Sequence, residues 1–237
     1  MSNRTLERRE FTDGGALALA FADWSADILH QAIAARGAAL LAVSGGATPA
    51  RYFLALSKCP LDWSRISITL VDERRVPDDS ARSNARLVRA QLLQNRAVAA
   101  SFVPLADSRL TAEQELISAQ ARIATLPLPA DLVVLGMGED GHTASWFPHA
   151  QGLAEAMDPA ARALVAPITP PGALEPRLTL TGRIILRARK LALQIEGPAK
   201  IATLKRALEL GPVEDMPIRA PLRQSTDRMT IFESAVA

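Results

Sequence analysis

The chain of 237 residues is long enough for one large α/β domain and does not require two. Hydrophobic residues make up 49% and charged residues 22%, a balance that excludes disorder over the whole chain. Lys+Arg and Asp+Glu nearly cancel at 27 and 25, like charges form no block, and aromatics reach only 4%, which argues against a nucleic-acid-binding surface.

In chain order, Arg4, Arg8 and Arg9 precede an apolar run over 14–22 in the manner of a leader peptide. Asp13 and Asp23 bracket that run, however, and Leu17, Phe21, Trp24 and Ile28 continue a single helical face, so an amphipathic helix over 14–36 is predicted instead. No apolar stretch approaches ~20 residues, so no membrane span is expected. Cys59 is the only cysteine. It allows neither an internal disulfide nor a cysteine-rich zinc site, and it points to a reducing compartment, the cytoplasm.

Short apolar runs then alternate with helical patterns. Strands are predicted over 38–43, 66–71, 131–135 and 191–195, with a weaker candidate over 163–168. Helices are predicted over 49–57, 82–94, 111–126 and 198–210. This alternation predicts βαβ units: a three-layer α/β/α fold with a mostly parallel sheet and helices on both faces, formed as a single domain over 1–237. Ligands of such sheets bind beyond the carboxyl ends of the strands, so the segments after Val43, Val71 and Leu135 are the places to look. The proline-rich stretches at 167–176 and 211–221 are expected to be loops.

The first of these strand ends reads Ser44-Gly45-Gly46-Ala47-Thr48-Pro49. Two glycines let a backbone approach a ligand closely, Thr48 can cap the next helix, and Pro49 suits its first turn. The segment is either a plain tight turn before a helix or a phosphate seat of exposed N–H groups. It matches neither a P-loop nor GxGxxG, so no nucleotide is implied. The second strand ends in Asp72-Glu73-Arg74-Arg75. These four charges are either a solvated loop or a polar cluster in which one of the arginines stabilises an anion and an acid orients it. Ser83-Asn84 then opens a helix, with Asn84 as a cap or as a contact to the same site.

The third strand end is Gly136-Met137-Gly138-Glu139-Asp140-Gly141-His142-Thr143. It holds an acid and an imidazole side by side on a glycine-rich turn. Histidine can take a proton from water near neutral pH, and Asp140 can orient the ring or bind a hydroxyl. The other histidines, His30 in the first helix and His149 in a later loop, read as structural or solvated. Lys200 follows Gly197-Pro198-Ala199 at a helix start. It is either a surface lysine or a charge that helps an anion dock. No GxSxG elbow and no HExxH cluster occurs, so neither a covalent serine nor a metal is called for, and no cofactor is expected.

Together these motifs resemble the 6-phosphogluconolactonase family. The matching segments are Ser44-Gly45-Gly46-x-Thr48-Pro49, Asp72-Glu73-Arg74, Ser83-Asn84, Gly136-x-Gly138-x-Asp140-Gly141-His142-Thr143-Ala144-Ser145, Phe147-Pro148, Arg177-x-Thr179-Leu180-Thr181 and Gly197-x-x-Lys200. They occur in family order and span most of the chain. The resemblance implies a fold shared with glucosamine-6-phosphate deaminases. It implies hydrolysis of 6-phospho-D-glucono-1,5-lactone to 6-phospho-D-gluconate in the oxidative pentose phosphate pathway. The small-molecule phosphosugar lactone is then the partner, with no nucleic acid, membrane or obligate protein partner. Carried over by position, His142 would be the general base and Arg74 would meet the reacting end. Asp72 and Asp140 would complete the catalytic group as supports, with Asn84 beside them. Ser44, Gly45, Gly46, Thr48, Arg177 and Lys200 would hold the phosphate.

Two departures qualify the match. Trp146 stands where the family usually has leucine, so a larger ring is expected to reshape a pocket wall. The segment after Gly211 matches poorly and nothing is carried over from it. Two rival functions share the architecture. Aminosugar-phosphate deaminases carry a glutamate a few residues after the DGH histidine, and 143–148 contains no acid. Sugar-phosphate effector domains of transcription regulators need a DNA-binding module, and only about a dozen residues precede the first predicted helix.

Overall fold

The computed structural model describes residues 6–172, 175–224 and 227–236. Arg4 and residues 173–174 of the first proline-rich stretch lie outside them. The elements are β1 (Glu7–Phe11), α1 (Gly14–Arg36), β2 (Ala39–Val43), α2 (Ala50–Leu56), β3 (Ile66–Leu70), β4 (Asp72–Arg74), α3 (Asn84–Gln91), β5 (Ser101–Val103) and α4 (Ala112–Ala124). They continue with β6 (Leu132–Leu135), α5 (Leu153–Met157), β7 (Val165–Ile168), β8 (Arg177–Leu180), α6 (Gly182–Ile185), β9 (Lys190–Glu196), α7 (Pro198–Leu208), α8 (Arg219–Gln224) and β10 (Met229–Ser234).

Seven strands form one parallel sheet in the order β1-β10-β9-β6-β2-β3-β5. Every residue of β2 and of β6 is buried, so both sheet faces are covered, as a parallel sheet flanked by helices requires. A second, antiparallel sheet of β4, β8 and β7 stands beyond the end of β3 and aligns Arg74 with Arg177. Among the described residues, no helix is long and apolar enough to cross a membrane.

Local chemistry sets the element ends. The Asp13 carboxylate accepts from the Ala16 N–H at 2.8 Å and starts α1, while Gly37 at φ 78° returns its N–H to the Ile33 carbonyl and stops it. The apolar face of α1 meets α2 and β10 through aromatic rings: Phe21 stacks on Tyr52 at 4.1 Å and on Phe232 at 4.3 Å. The buried Tyr52 hydroxyl donates to Ser25 at 3.0 Å, which satisfies the polar tip.

The five expected helices and the four strongest strands are present, with ends trimmed by a few residues. The weaker candidate over 163–168 is a strand as well, but of the small sheet. Three strands of the main sheet were not expected: the edge strand β5, and β1 and β10, which pair with each other. The partners in that last pair lie more than 200 residues apart, as in Glu7 with Thr230, so no local pattern announces the pairing. The stretch 211–221 is not all loop, because α8 begins at Arg219. The Arg219 guanidinium is buried and donates to the carbonyls of Arg206, Ala207 and Pro212, which gives that helix its start against the end of α7.

The sheet order places the functional region. From β2 the chain moves to β3 and β5 on one side, then returns to β6 on the other. The reversal opens a crevice beyond the ends of β2 and β6, where the Ser44 and Gly136 segments emerge. At the opposite end of β6, Asp131 accepts from the Leu40 N–H at 2.8 Å and pairs with Arg36 and Arg189. Asp131→Ala strands that buried N–H, so a loss of about 2 kcal/mol is expected. For a chain of this size that lowers Tm by about 4–8 °C in a thermal melt.

Candidate active site

A cavity of about 240 Å³ occupies the crevice. Ser44, Gly45, Gly46 and Thr48 line it after β2; Asp72, Arg74 and Asn84 after β3; Gly136, Gly138 and His142 after β6; and Arg177 and Lys200 close it. Ten of the eleven residues singled out from the sequence therefore share one cavity. Asp140, the eleventh, stands behind the histidine.

The histidine turn is closed on itself. The Gly138 N–H donates to the His142 carbonyl and the Gly141 N–H to the Gly138 carbonyl, each at 3.0 Å. Gly141 sits at φ 83°, and a methyl group added to it would fall 2.9 Å from the Met216 side chain, so a larger residue there is strained by conformation and crowded in space. Asp140 Oδ1 accepts from the His142 backbone N–H at 3.0 Å and lies 2.6 Å from its Nδ1. Burial pushes the Asp140 carboxyl up, but the two hydrogen bonds from His142 and its charge outweigh this and leave it below the ordinary value. An ionised carboxylate only accepts, so Nδ1 carries a hydrogen, and in the neutral form of the ring Nε2 keeps its lone pair. The ring stacks on Phe147 with centroids 4.3 Å apart.

The charged strand end divides its arginines. Arg74 faces the cavity, where its Nη1 donates to the Arg82 carbonyl at 2.7 Å and to Asn84 Oδ1 at 3.2 Å. Arg75 turns away to an ion pair with Glu115 at 3.1 Å. Asp72 is buried and committed: Ser145 Oγ donates to it at 2.5 Å, Asn84 Nδ2 at 3.4 Å, and Arg177 lies 3.8 Å away. Ser83, not Asn84, caps α3 by accepting from the Arg86 N–H, which frees the Asn84 side chain for the cavity.

Thr48 does not cap α2, whose leading position is taken by Pro49. Its hydroxyl accepts instead from Lys200 Nζ at 3.0 Å. Burial pushes the Lys200 ammonium down, with Glu196 and Glu139 pulling the other way. Burial likewise pushes Arg177 down, opposed by Asp72 and reinforced by Arg74. Arg177 also lies over the Phe147 ring at 4.9 Å, and its buried Nε has no hydrogen-bond partner among the described residues. Two half-buried cations with too little counter-charge make this end of the cavity a seat for an anion.

Trp146 forms no wall of the cavity. It is fully buried and donates from Nε1 to the Leu180 carbonyl at 3.2 Å, because the turn after His142 directs it into the core. Three groups at the site were not singled out from the sequence. Glu73 is buried and accepts from the N–H groups of Arg74, Asn84 and Ala85 and from the Ser83 hydroxyl, fastening β4 to α3. Ser145 anchors Asp72. Gln194 lines the cavity from β9, and a polar residue inside the apolar run Leu191 to Ile195 was the signal that could have found it. The C-terminal segment also contributes, since the Ile218 N–H donates to the Gly141 carbonyl at 3.0 Å.

A family model described as glucosamine-6-phosphate isomerases/6-phosphogluconolactonase matches residues 12–231. The 6-phosphogluconolactonase of Mesorhizobium japonicum is 50% identical over 222 residues, which is 94% of this chain and 92% of that protein. A crystal structure of a 6-phosphogluconolactonase from Shewanella baltica superposes with a TM-score of 0.93 at 42% identity, covering 97% of this chain and 98% of that one. A monomeric glucosamine-6-phosphate deaminase shares the fold at 18% identity and a TM-score of 0.77, over 97% of each chain.

A methyl group on Gly138 would fall 2.2 Å from His142 Nδ1 and 2.6 Å from Asp140 Oδ1. Gly138→Ala is therefore expected to displace the imidazole while leaving the sheet intact. In proton NMR the downfield imidazole N–H signal of the His142–Asp140 hydrogen bond should vanish, with Tm changed by no more than a few degrees.

Proposed function

The chain belongs to the family of glucosamine-6-phosphate isomerases and 6-phosphogluconolactonases, and on that premise we propose that it hydrolyses 6-phospho-D-glucono-1,5-lactone to 6-phospho-D-gluconate, the lactonase step of the oxidative pentose phosphate pathway. One observation carries the reading: a carboxylate-oriented imidazole and a seat for an anion face the same cavity. We take residues 1–237 as one sugar-phosphate hydrolase domain, since the cavity draws on segments from Ser44 to Lys200 over one continuous core.

In this reading Arg177, Lys200, Thr48 and the Ser44-Gly45-Gly46 turn hold the phosphate and so fix the sugar. Asp140 holds the His142 ring with Nε2 free to act. Nε2 takes a proton from water, and the hydroxide adds to C1 of the lactone. Arg74, held by Asn84 and the Arg82 carbonyl, stabilises the tetrahedral oxyanion together with N–H groups of the glycine turns. As the bond from C1 to the ring oxygen breaks, the imidazolium returns its proton to that oxygen, and the histidine is ready for the next water. Asp72 supports the site by orienting Arg177, Asn84 and Ser145 rather than by exchanging protons. The deaminase alternative lacks support in residues 143–148, which contain no acid.

His142→Ala is expected to fold and to lose about 10²-fold or more in kcat on freshly generated phospholactone, corrected for spontaneous hydrolysis. A nearly unchanged kcat, or faster turnover of glucosamine 6-phosphate than of the lactone, would overturn the proposal. A second outcome follows from Asp140, whose folded-state pKa lies below its unfolded value. Its stabilising contribution is complete above the unfolded pKa and is lost as pH falls through the folded one. The Tm advantage of wild type over Asp140→Asn should thus be full at neutral pH and shrink in the acid range, which melts from pH 7 downward would show.

A further inference from the structure

The anion seat and the histidine turn are joined by one helix. Lys200 lies in the first turn of α7 and reaches Thr48 in the cavity. One turn further on, Thr203 is buried, and its hydroxyl donates to the Glu139 carbonyl at 3.2 Å. Arg206 Nη2 donates to the same carbonyl at 2.9 Å and to the Thr203 hydroxyl at 3.0 Å. Glu139 is the residue before Asp140, so α7 grips the turn beside the catalytic pair. The far side of the turn is fixed independently, by the Ile218 N–H on the Gly141 carbonyl.

Thr203 does not line the cavity and touches no group assigned to the reaction. Its position has a mechanical consequence. An anion that settles on Lys200 competes with Thr48 for the ammonium, and α7 carries any displacement to the Glu139 carbonyl. A ligand shifts a conformation only by interacting differently with its alternatives, and an anion that draws Lys200 Nζ from the Thr48 hydroxyl supplies that difference. Binding energy from a remote group can in this way be used in the transition state rather than in affinity alone.

We propose that Thr203 is a positioning residue through which the phosphate group, seated on Lys200, sets the His142 turn, so that occupation of the anion seat raises the turnover of a lactone bound beside it. The inference rests on the lactonase reading of the cavity and adds to it a use for the phosphate beyond anchoring.

The test delivers the substrate in two pieces. Hydrolysis of unphosphorylated D-glucono-1,5-lactone is measured with and without phosphite dianion, above the spontaneous rate. Wild type is expected to be accelerated about tenfold or more. Thr203→Val keeps the shape and removes the hydroxyl. Its phosphite acceleration should fall about threefold to tenfold, the weight of one neutral hydrogen bond. Its kcat on the phosphorylated lactone should fall by a similar factor, with KM within about twofold. Thr203→Ser should restore both. Where Thr203→Val fails to fold, Arg206→Met removes the second donor to the Glu139 carbonyl and takes its place. Equal acceleration in wild type and Thr203→Val overturns the inference, as does a Thr203→Ser variant that behaves like Thr203→Val. Wild type that cleaves the phosphorylated lactone but ignores phosphite overturns it too and leaves the lactonase reading standing. Wild type that does not cleave the phosphorylated lactone overturns that reading itself, and the inference with it.

Discussion

The reversal of strand order between β2 and β6 is the constraint on which the site depends. Adjacent parallel strands whose chains depart in opposite directions cannot both have their loops fold over the seam. The seam stays open, and the two loops that leave it face each other across a gap. The Ser44 N–H donates to the Val134 carbonyl at 3.1 Å, so the two loops start from a common level. One loop brings a glycine turn with backbone N–H groups, and the other brings the imidazole. Both begin on strands without an exposed residue, which gives the polar groups a rigid base.

A cavity that gathers Arg74, Arg177 and Lys200 must also hold them apart and keep them charged. Carboxylates beside the cations do this. Asp72, itself a lining residue, lies 3.8 Å from Arg177, and the charge of Glu196 opposes the downward push of burial on Lys200. Glu73 serves a different purpose. Burial pushes its carboxyl up, while backbone N–H groups of Asn84, Ala85 and Arg74 pull it down. It spends its oxygens on the start of α3 and so orients the Asn84 side chain that holds Arg74. Charge left over at the front of the cavity is what an anionic substrate neutralises, and burial makes that neutralisation worth more than it would be in water.

Much of this was legible in the residues. The period of the apolar runs sufficed for the strands that form the centre of the sheet, because a strand buried on both faces reads as a continuous apolar run wherever it pairs. The outer strands were not legible: β1 reads Glu-Arg-Arg-Glu-Phe, and only its distant pairing with β10 makes it a strand. At the site, glycines and charges at strand ends marked the positions but not the directions of side chains. Arg74 and Arg75 are equivalent in sequence, and the pairing of β4 with β8 is what turns one in and the other out. Thr48 illustrates the same limit, since its hydroxyl serves Lys200, 152 positions away, instead of the adjacent helix. Gln194 and Ser145 reach the site only through contacts across the sheet.

The segment from Thr143 to Pro148 shows how one fold separates its chemistries. Each polar or large side chain here has a fixed task. Thr143 donates to the Gly136 carbonyl at 2.8 Å and closes the turn, and Ser145 donates to Asp72. Trp146 fills the core and ties itself to Leu180, and Phe147 lies between the His142 ring and Arg177. An apolar ring on one face of the imidazole leaves Asp140 as its carboxylate partner, held at Nδ1. In the lactonase mechanism proposed above, the proton that Nε2 would take from water passes on to the ring oxygen that departs as the lactone opens. Four of the six residues in this segment are thus committed to packing and support around the histidine turn.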